Sequence, residues 1–342
     1  MNIAVMFGGT ALNNIRSFYV KDKTMYDFQY DKPYIFHEAL SPNHINGIWN
    51  YCFFGEKGYF LDLKEWEDEL PDIDVDVIVY ANERHGLDEE HWDKYSVARL
   101  KDKYPNTKVL GFVKEITVPE HRYKGWIRFL NDCDIIITPA TGPMQKIPKY
   151  SEIQSELNKK MNFITAVPNN IESIYDNFYT NEKDNSIYVY LPSTPIRKGQ
   201  TLNFAKYISE KYNIPLVLKP KTDSPDIKID MSWKDYMNFW TPCLWHFNLD
   251  PMIEQQGQQG TLVANVGSIQ IGGLNESHQI LFPETATCDL DILEKRFVEY
   301  LNNPEKRFEV IEYAWNKLNE LYGEKVVKKQ LEEVLSENNF EF

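Results

Sequence analysis

The chain has 342 residues, enough for two domains that each bury a core. Its 42% hydrophobic and 26% charged residues describe a globular protein, and a formal net charge of −14 argues against a broad nucleic-acid footprint or an anionic membrane as partner, while leaving room for a local basic groove. Without a basic leader or a run of about 18 apolar residues, a cytoplasmic location without membrane insertion is expected, and the separated Cys52, Cys133, Cys243 and Cys288 read as free thiols.

The first half alternates between two periodicities. An apolar strand over 2–7 runs into Gly8 and Gly9, whose missing side chains would let a ligand approach the backbone or simply make a tight turn; there is no GxGxxG. Residues 26–60 are rich in aromatics and give no clear assignment. Strands then follow at 76–80, 108–113, 134–138 and 162–167, separated by helices at 89–103, 120–130 and 150–160. Continuous apolar strands between helices predict a parallel sheet covered on both faces. Ligands of such sheets lie at the carboxyl ends of the strands, which places Gly8, Gly9, Glu83, His85 and the loops after 113 and 138 on one rim.

A polar stretch at 171–185 has turn character and separates a first domain, 1–170, from a second, 186–322, followed by a terminal helix within 323–342. The second alternation reads strand 186–191, helix 199–211, strand 214–218 and helix 233–240. The segment 242–273 is the most informative part of the chain. Residues 242–247 read as a buried strand, Asp250 as a helix N-cap with Pro251 at the first helical position, 252–259 as a helix closed by Gly260, 261–264 as a strand, and 267–273 as a glycine-rich loop. Glu254 falls in that helix's first turn, where a carboxylate either complements the dipole or reaches ribose hydroxyls. Helices at 290–301, 305–322 and 324–335 complete the chain. Two such domains, each α/β with a parallel sheet, are expected to face a central cleft.

The order and spacing of 186–335 resemble the C-terminal domain of GT-B glycosyltransferases, with the retaining family 4 as the nearest pattern. The carriers are Lys198-Gly199 ahead of a helix, Pro168-Asn169 at the end of the first domain, Glu254 followed by Gly260-Thr261-Leu262-Val263 in place of a Gly-x-Pro-Val strand, and the ending from Tyr300 to Trp315. There are departures: the position eight before Glu254 is His246 where the family has glutamate, and the family's arginine falls on Ser193, with Arg197 beside Lys198 as a substitute. The resemblance implies a metal-independent glycosyltransferase that uses a UDP- or GDP-sugar donor and needs no further cofactor. Donor contacts would come from Arg197, Lys198 and Glu254, with Gly8, Gly9 and Asp250 as further donor-side candidates from their turn and helix-start positions. Glu254 and His246, the latter where the family has a sugar-contacting glutamate, are candidate catalytic residues.

Other residues could serve the acceptor side. His85 is a candidate acid or base, because its ordinary pKa lies near neutrality, with Glu83 beside it. The run His121 to Arg128 is the one basic and aromatic cluster, with Arg122 and Lys124 able to meet an anionic acceptor; as an amphipathic helix it would turn Trp126, Phe129 and Leu130 inward. The Asp-x-Asp pairs at 72–76 and 289–291 read as structural carboxylates, and no metal site is expected. Open alternatives are an acceptor that is a modified DNA base rather than a glycan or lipid-linked sugar, a sugar-nucleotide- or glycan-binding protein without catalysis, and a GT-B-type epimerase.

Overall fold

The computed structural model describes residues 1–7, 18–20, 56–62, 68–81, 92–113, 116, 118, 120–140, 145–165, 171–190, 195–218, 233–251 and 258–340. These fall into two compact units, Met1–Val167 with Glu324–Phe342, and Pro168–Gly323.

The first unit is built on a seven-stranded sheet: β1 (Asn2–Phe7), β2 (Phe18–Val20), β3 (Lys57–Asp62), β4 (Val77–Ala81), β5 (Lys108–Phe112), β6 (Ile135–Pro139) and β7 (Met161–Ile164). Its order is β2-β3-β1-β4-β5-β6-β7, parallel except for β2. Every residue of β4 and β6 is buried, as strands covered on both faces require. The helix expected over 89–103 is two: α1 (Trp92–Tyr95) and α2 (Val97–Lys103), divided at Ser96, whose Oγ accepts the Arg99 N–H and caps the second. Helix α3 (Glu120–Asp132) turns Trp126, Phe129 and Leu130 inward as its periodicity predicts, and α4 (Pro148–Glu156) follows.

The stretch 171–185, read as a linker, instead holds helix α5 (Ile171–Phe178) and the start of β8 (Asp184–Val189), both in the second unit. This unit continues with α6 (Pro195–Tyr212), β9 (Leu216–Val217), α7 (Trp233–Trp240), β10 (Cys243–Phe247), α8 (Gln258–Asn265), β11 (Ile269–Ile271), α9 (Glu276–Leu281), α10 (Leu290–Asn302) and α11 (Pro304–Tyr322). The four strands are parallel in the order β11-β10-β8-β9. Trp245 and Phe247 of β10 point to one face, against Phe204 of α6 and Phe297 of α10. His246 points to the other, against Trp240 of α7.

One expectation fails here. Residues 261–264 are helix, inside α8, and the strand lies at Ile269–Ile271, after Gly267 in the left-handed region at φ +78°. The equation of Gly260–Val263 with a Gly-x-Pro-Val strand therefore falls. Gly260 is no cap but a helical residue at a helix crossing, where a Cβ would stand 2.6 Å from Ser277 Oγ of α9.

The last helix, α12 (Glu324–Glu337), belongs to the first unit. Gln330 Oε1 accepts both the N–H and the hydroxyl of Thr165, just past β7, at 2.7 and 2.8 Å. No helix among the described residues is long and apolar enough to cross a membrane.

Candidate functional site

A parallel sheet presents ligands to the carboxyl ends of its strands. At that edge of the second unit three neighbouring strands exit: β8 towards α6, β10 towards α8 and β11 towards α9. Helix α6 begins at Pro195, so Arg197 and Lys198 occupy its first turn, where a helix has N–H groups without intrahelical partners. Asp250 lies half-buried just past β10, on the same edge. Arg197, Lys198 and Asp250 are thus brought to one rim.

The residues that leave β10 are fixed from several sides. The Asn248 N–H donates to Ile271 O at 3.0 Å, and its Nδ2 donates to Gln259 Oε1 of α8 at 2.9 Å. The Leu249 N–H donates to Thr201 Oγ1 of α6 at 3.1 Å, and Asp250 O accepts the Leu274 N–H at 2.8 Å. Asn248, Leu249 and Thr201 are buried, so the bonds at Asn248 and Leu249 satisfy groups cut off from water.

The β11 exit needs glycine twice. Gly272 and Gly273 have φ of +87° and +105°, and a Cβ on Gly273 would sit 3.0 Å from both Asn248 O and His278 Nδ1. Around that turn runs a closed hydrogen-bond ring. Gln270 Nε2 lies 3.2 Å from His278 Nδ1, His278 Nε2 lies 3.4 Å from Thr285 Oγ1, and the Thr285 hydroxyl donates to Gln270 O at 2.7 Å. With the amide donating to Nδ1, the ring proton sits on Nε2, and the imidazole is neutral. Burial pushes its pKa down from 6.5 to about 3.

His246 does not stand at the rim. It is fully buried between Tyr188 and Trp240, with ring centroids 5.4 and 4.8 Å away. Burial first, then the Lys183 charge, push its pKa down to about 3. A neutral ring with no exposed atom touches no diffusible sugar unless the core opens, so the expected sugar contact and catalytic role find no support in this geometry.

In the first unit Arg122 and Lys124 sit in the opening turns of α3, which leaves the carboxyl edge after β5. Lys124 is exposed; Arg122 is half-buried, and its Nε has no hydrogen-bond partner among the described residues. The Asp-x-Asp carboxylates do structural work. Asp74 and Asp76 accept from Asn2 at 3.0 and 2.6 Å, Asp72 pairs with Lys103, and Asp289 caps α10. Gly8, Gly9, Glu83, His85 and Glu254 lie outside the described residues, as do the side chains of Arg197 and Lys198. Sequence reasoning missed Thr201, Asn248, Gln259, Gln270, His278 and Thr285; the available signal was a polar residue interrupting an apolar strand, as in Ile269-Gln270-Ile271, ahead of a glycine pair.

No family model matches the chain, and no curated protein matches it. Solved structures do. Anabaena HepE in complex with UDP is similar over 98% of this chain and 100% of its own, at a TM-score of 0.56 and 11% identity. An α-glucosyltransferase in complex with UDP is similar over 98% and 100%, at 0.59 and 10% identity. An α-glucosyltransferase in complex with UDP-glucose and DNA containing an abasic site gives 0.56 over 98% and 99%, also at 10% identity. Two Rossmann-like α/β units in one chain, matched across nearly its full length, give this protein the GT-B fold.

Proposed function

We propose that the chain is a glycosyltransferase that moves a sugar from a UDP-type nucleotide-diphosphate donor to an acceptor, with retention and without a metal cofactor. The observation that carries this reading is the correspondence of both units, over 98% of the chain, with proteins solved in complex with UDP. As the glycosidic bond to the β-phosphate breaks, negative charge gathers on the leaving diphosphate. The first-turn amides of α6 would meet that charge, with Arg197 offering a planar fork and Lys198 a point charge. Glu254 would accept from the ribose hydroxyls, and Asp250 would border the donor from the β10 side. Calorimetric titration with UDP in EDTA tests the donor half: binding is expected, weakened about tenfold or more by Arg197→Ala with Lys198→Ala, the loss of two charge-assisted contacts. A chain that no nucleoside diphosphate stabilises against heat refutes the reading.

A second reading concerns the acceptor. The opening turns of α3 expose His121, Lys124 and Arg128, a basic face in a chain of net charge −14. Such a face suits the phosphate backbone of DNA, and DNA is present with one of the similar structures. Duplex binding at low salt, weakened by neutralising Arg122, Lys124 and Arg128, supports a DNA acceptor; no binding at low salt removes it.

A further inference from the structure

Two parts of the proposed donor site come from different stretches of chain: the first turn of α6, with Arg197 and Lys198, and the segment leaving β10, with Asp250 and, beyond it, Glu254. A side chain of α6 joins them. Thr201 lies four residues after Arg197, one helical turn along α6, and is fully buried. Its Oγ1 accepts the N–H of Leu249, the second residue past the end of β10, at 3.1 Å. Leu249 is itself buried, and its N–H has left the sheet ladder, so without Thr201 it would be a buried donor with no acceptor. The adjoining groups are held from the opposite side, Asn248 Nδ2 by Gln259 and Asp250 O by the Leu274 N–H.

Building on the proposed donor reading, we infer that Thr201 is a positioning residue for the nucleotide diphosphate. It sets the register between the first turn of α6, proposed to meet the phosphates, and the chain that follows β10, proposed to meet the ribose. It acts through Leu249, which precedes Asp250 by one residue. A threonine in the interior of a helix would be replaceable by valine of the same shape if packing were its only task. The hydroxyl acceptor is what the Leu249 N–H needs.

The experiment compares UDP affinity and melting temperature in four full-length proteins: the unaltered chain, Thr201→Val, Thr201→Ser and Ser268→Ala. Ser268 Oγ donates to Cys243 O at 2.9 Å at the other, amino end of the same sheet, so its loss tests what a buried hydrogen bond away from the rim does. Thr201→Val is expected to raise the UDP dissociation constant about tenfold, the equivalent of roughly 1.4 kcal/mol. Thr201→Ser is expected to restore it to within about twofold, and Ser268→Ala to lower the melting temperature while leaving affinity unchanged. If Thr201→Val does not fold, Thr201→Cys keeps the volume with a weaker acceptor and carries the same comparison. A Thr201→Val protein that melts earlier yet binds UDP as the unaltered chain does makes Thr201 a structural residue only and overturns the inference. Failure of the unaltered chain to bind UDP is a different result, and it overturns the donor reading together with this one.

Discussion

Acidification should destabilise the second unit by a defined amount. Of the chain's seven histidines only His246 and His278 lie in Pro168–Gly323, and both are fully buried with pKa values pushed from 6.5 down to about 3. Stability rises with pH wherever the unfolded chain binds more protons than the folded one. At pH 5 an unfolded imidazole is protonated and each folded ring is not, so the folded state loses ground from about pH 6.5 downwards until the folded rings titrate near 3. At about 1.4 kcal/mol per pH unit, a drop to pH 5 costs about 2 kcal/mol for each ring, or about 4 for the pair. That is a large part of the 5–15 kcal/mol that holds a typical domain together. Two other titrations stay out of this window. Ordinary carboxylates titrate mostly below pH 5. Lys183, pushed down to about 8 by burial, changes its proton count mainly above that pH. Urea unfolding at pH 7.5, 6.5, 5.5 and 5, followed by fluorescence, reads the free energy directly. His278→Gln keeps an amide where the ring bonds Gln270 and Thr285, and His246→Gln removes the second titrating group. The double variant should be less stable at pH 7.5 but flatter against pH. A double variant with the same slope as the unaltered chain, or an unaltered chain that loses less than about 1 kcal/mol by pH 5, refutes the reasoning.

Other consequences follow from single contacts. Gly273→Ala places a side chain at φ +105° against Asn248 O and His278 Nδ1, so it should lower stability by more than about 1–3 kcal/mol and weaken UDP binding at 25 °C, measured by urea melts and calorimetry. Gly260→Ala brings a Cβ to 2.6 Å from Ser277 Oγ, and the double variant with Ser277→Ala should recover part of the loss in melting temperature. Gln330→Ala leaves the buried Thr165 N–H without its acceptor, at a cost of about 1–3 kcal/mol; faster hydrogen exchange at the end of β7 and in α12, with the second unit unchanged, is the expected readout.

The parallel alternation was legible because strands buried on both faces leave a plain signature. Val77–Ala81 and Ile135–Pro139 are short apolar runs between amphipathic helices, and α3 shows its buried stripe in Trp126, Phe129 and Leu130. Strand β3 was not legible. Lys57–Asp62 mixes glycine and charged residues with aromatics, and its strand identity comes from pairing with β1 rather than from its own pattern. Helix α5 was hidden by a polar, turn-like composition.

The misreading of 258–273 has a more general cause. Every residue from Gln259 to Gly273 is buried, so α8 has no polar stripe and β11 no alternation; only length separates a fully buried helix from a fully buried strand. Thr261-Leu262-Val263-Ala264 then looks like a strand because two of its four residues are β-branched, and Gly260 looks like a stop because the helix it serves packs too closely on α9 for any other residue. The same burial hid the chemistry. His246 and Gln270 are 24 positions apart in sequence and face each other only through the β10–β11 register. Gln270, His278 and Thr285 close their ring across a strand, a helix and a turn. Spacing could mark Arg197 and Lys198, which share one helix turn. It could not mark Thr201, whose meaning lies in a partner 48 residues away on another element. Residues that would touch the ligand are those a motif can reveal, whereas the ones that hold those residues in register emerge only once the strands are paired.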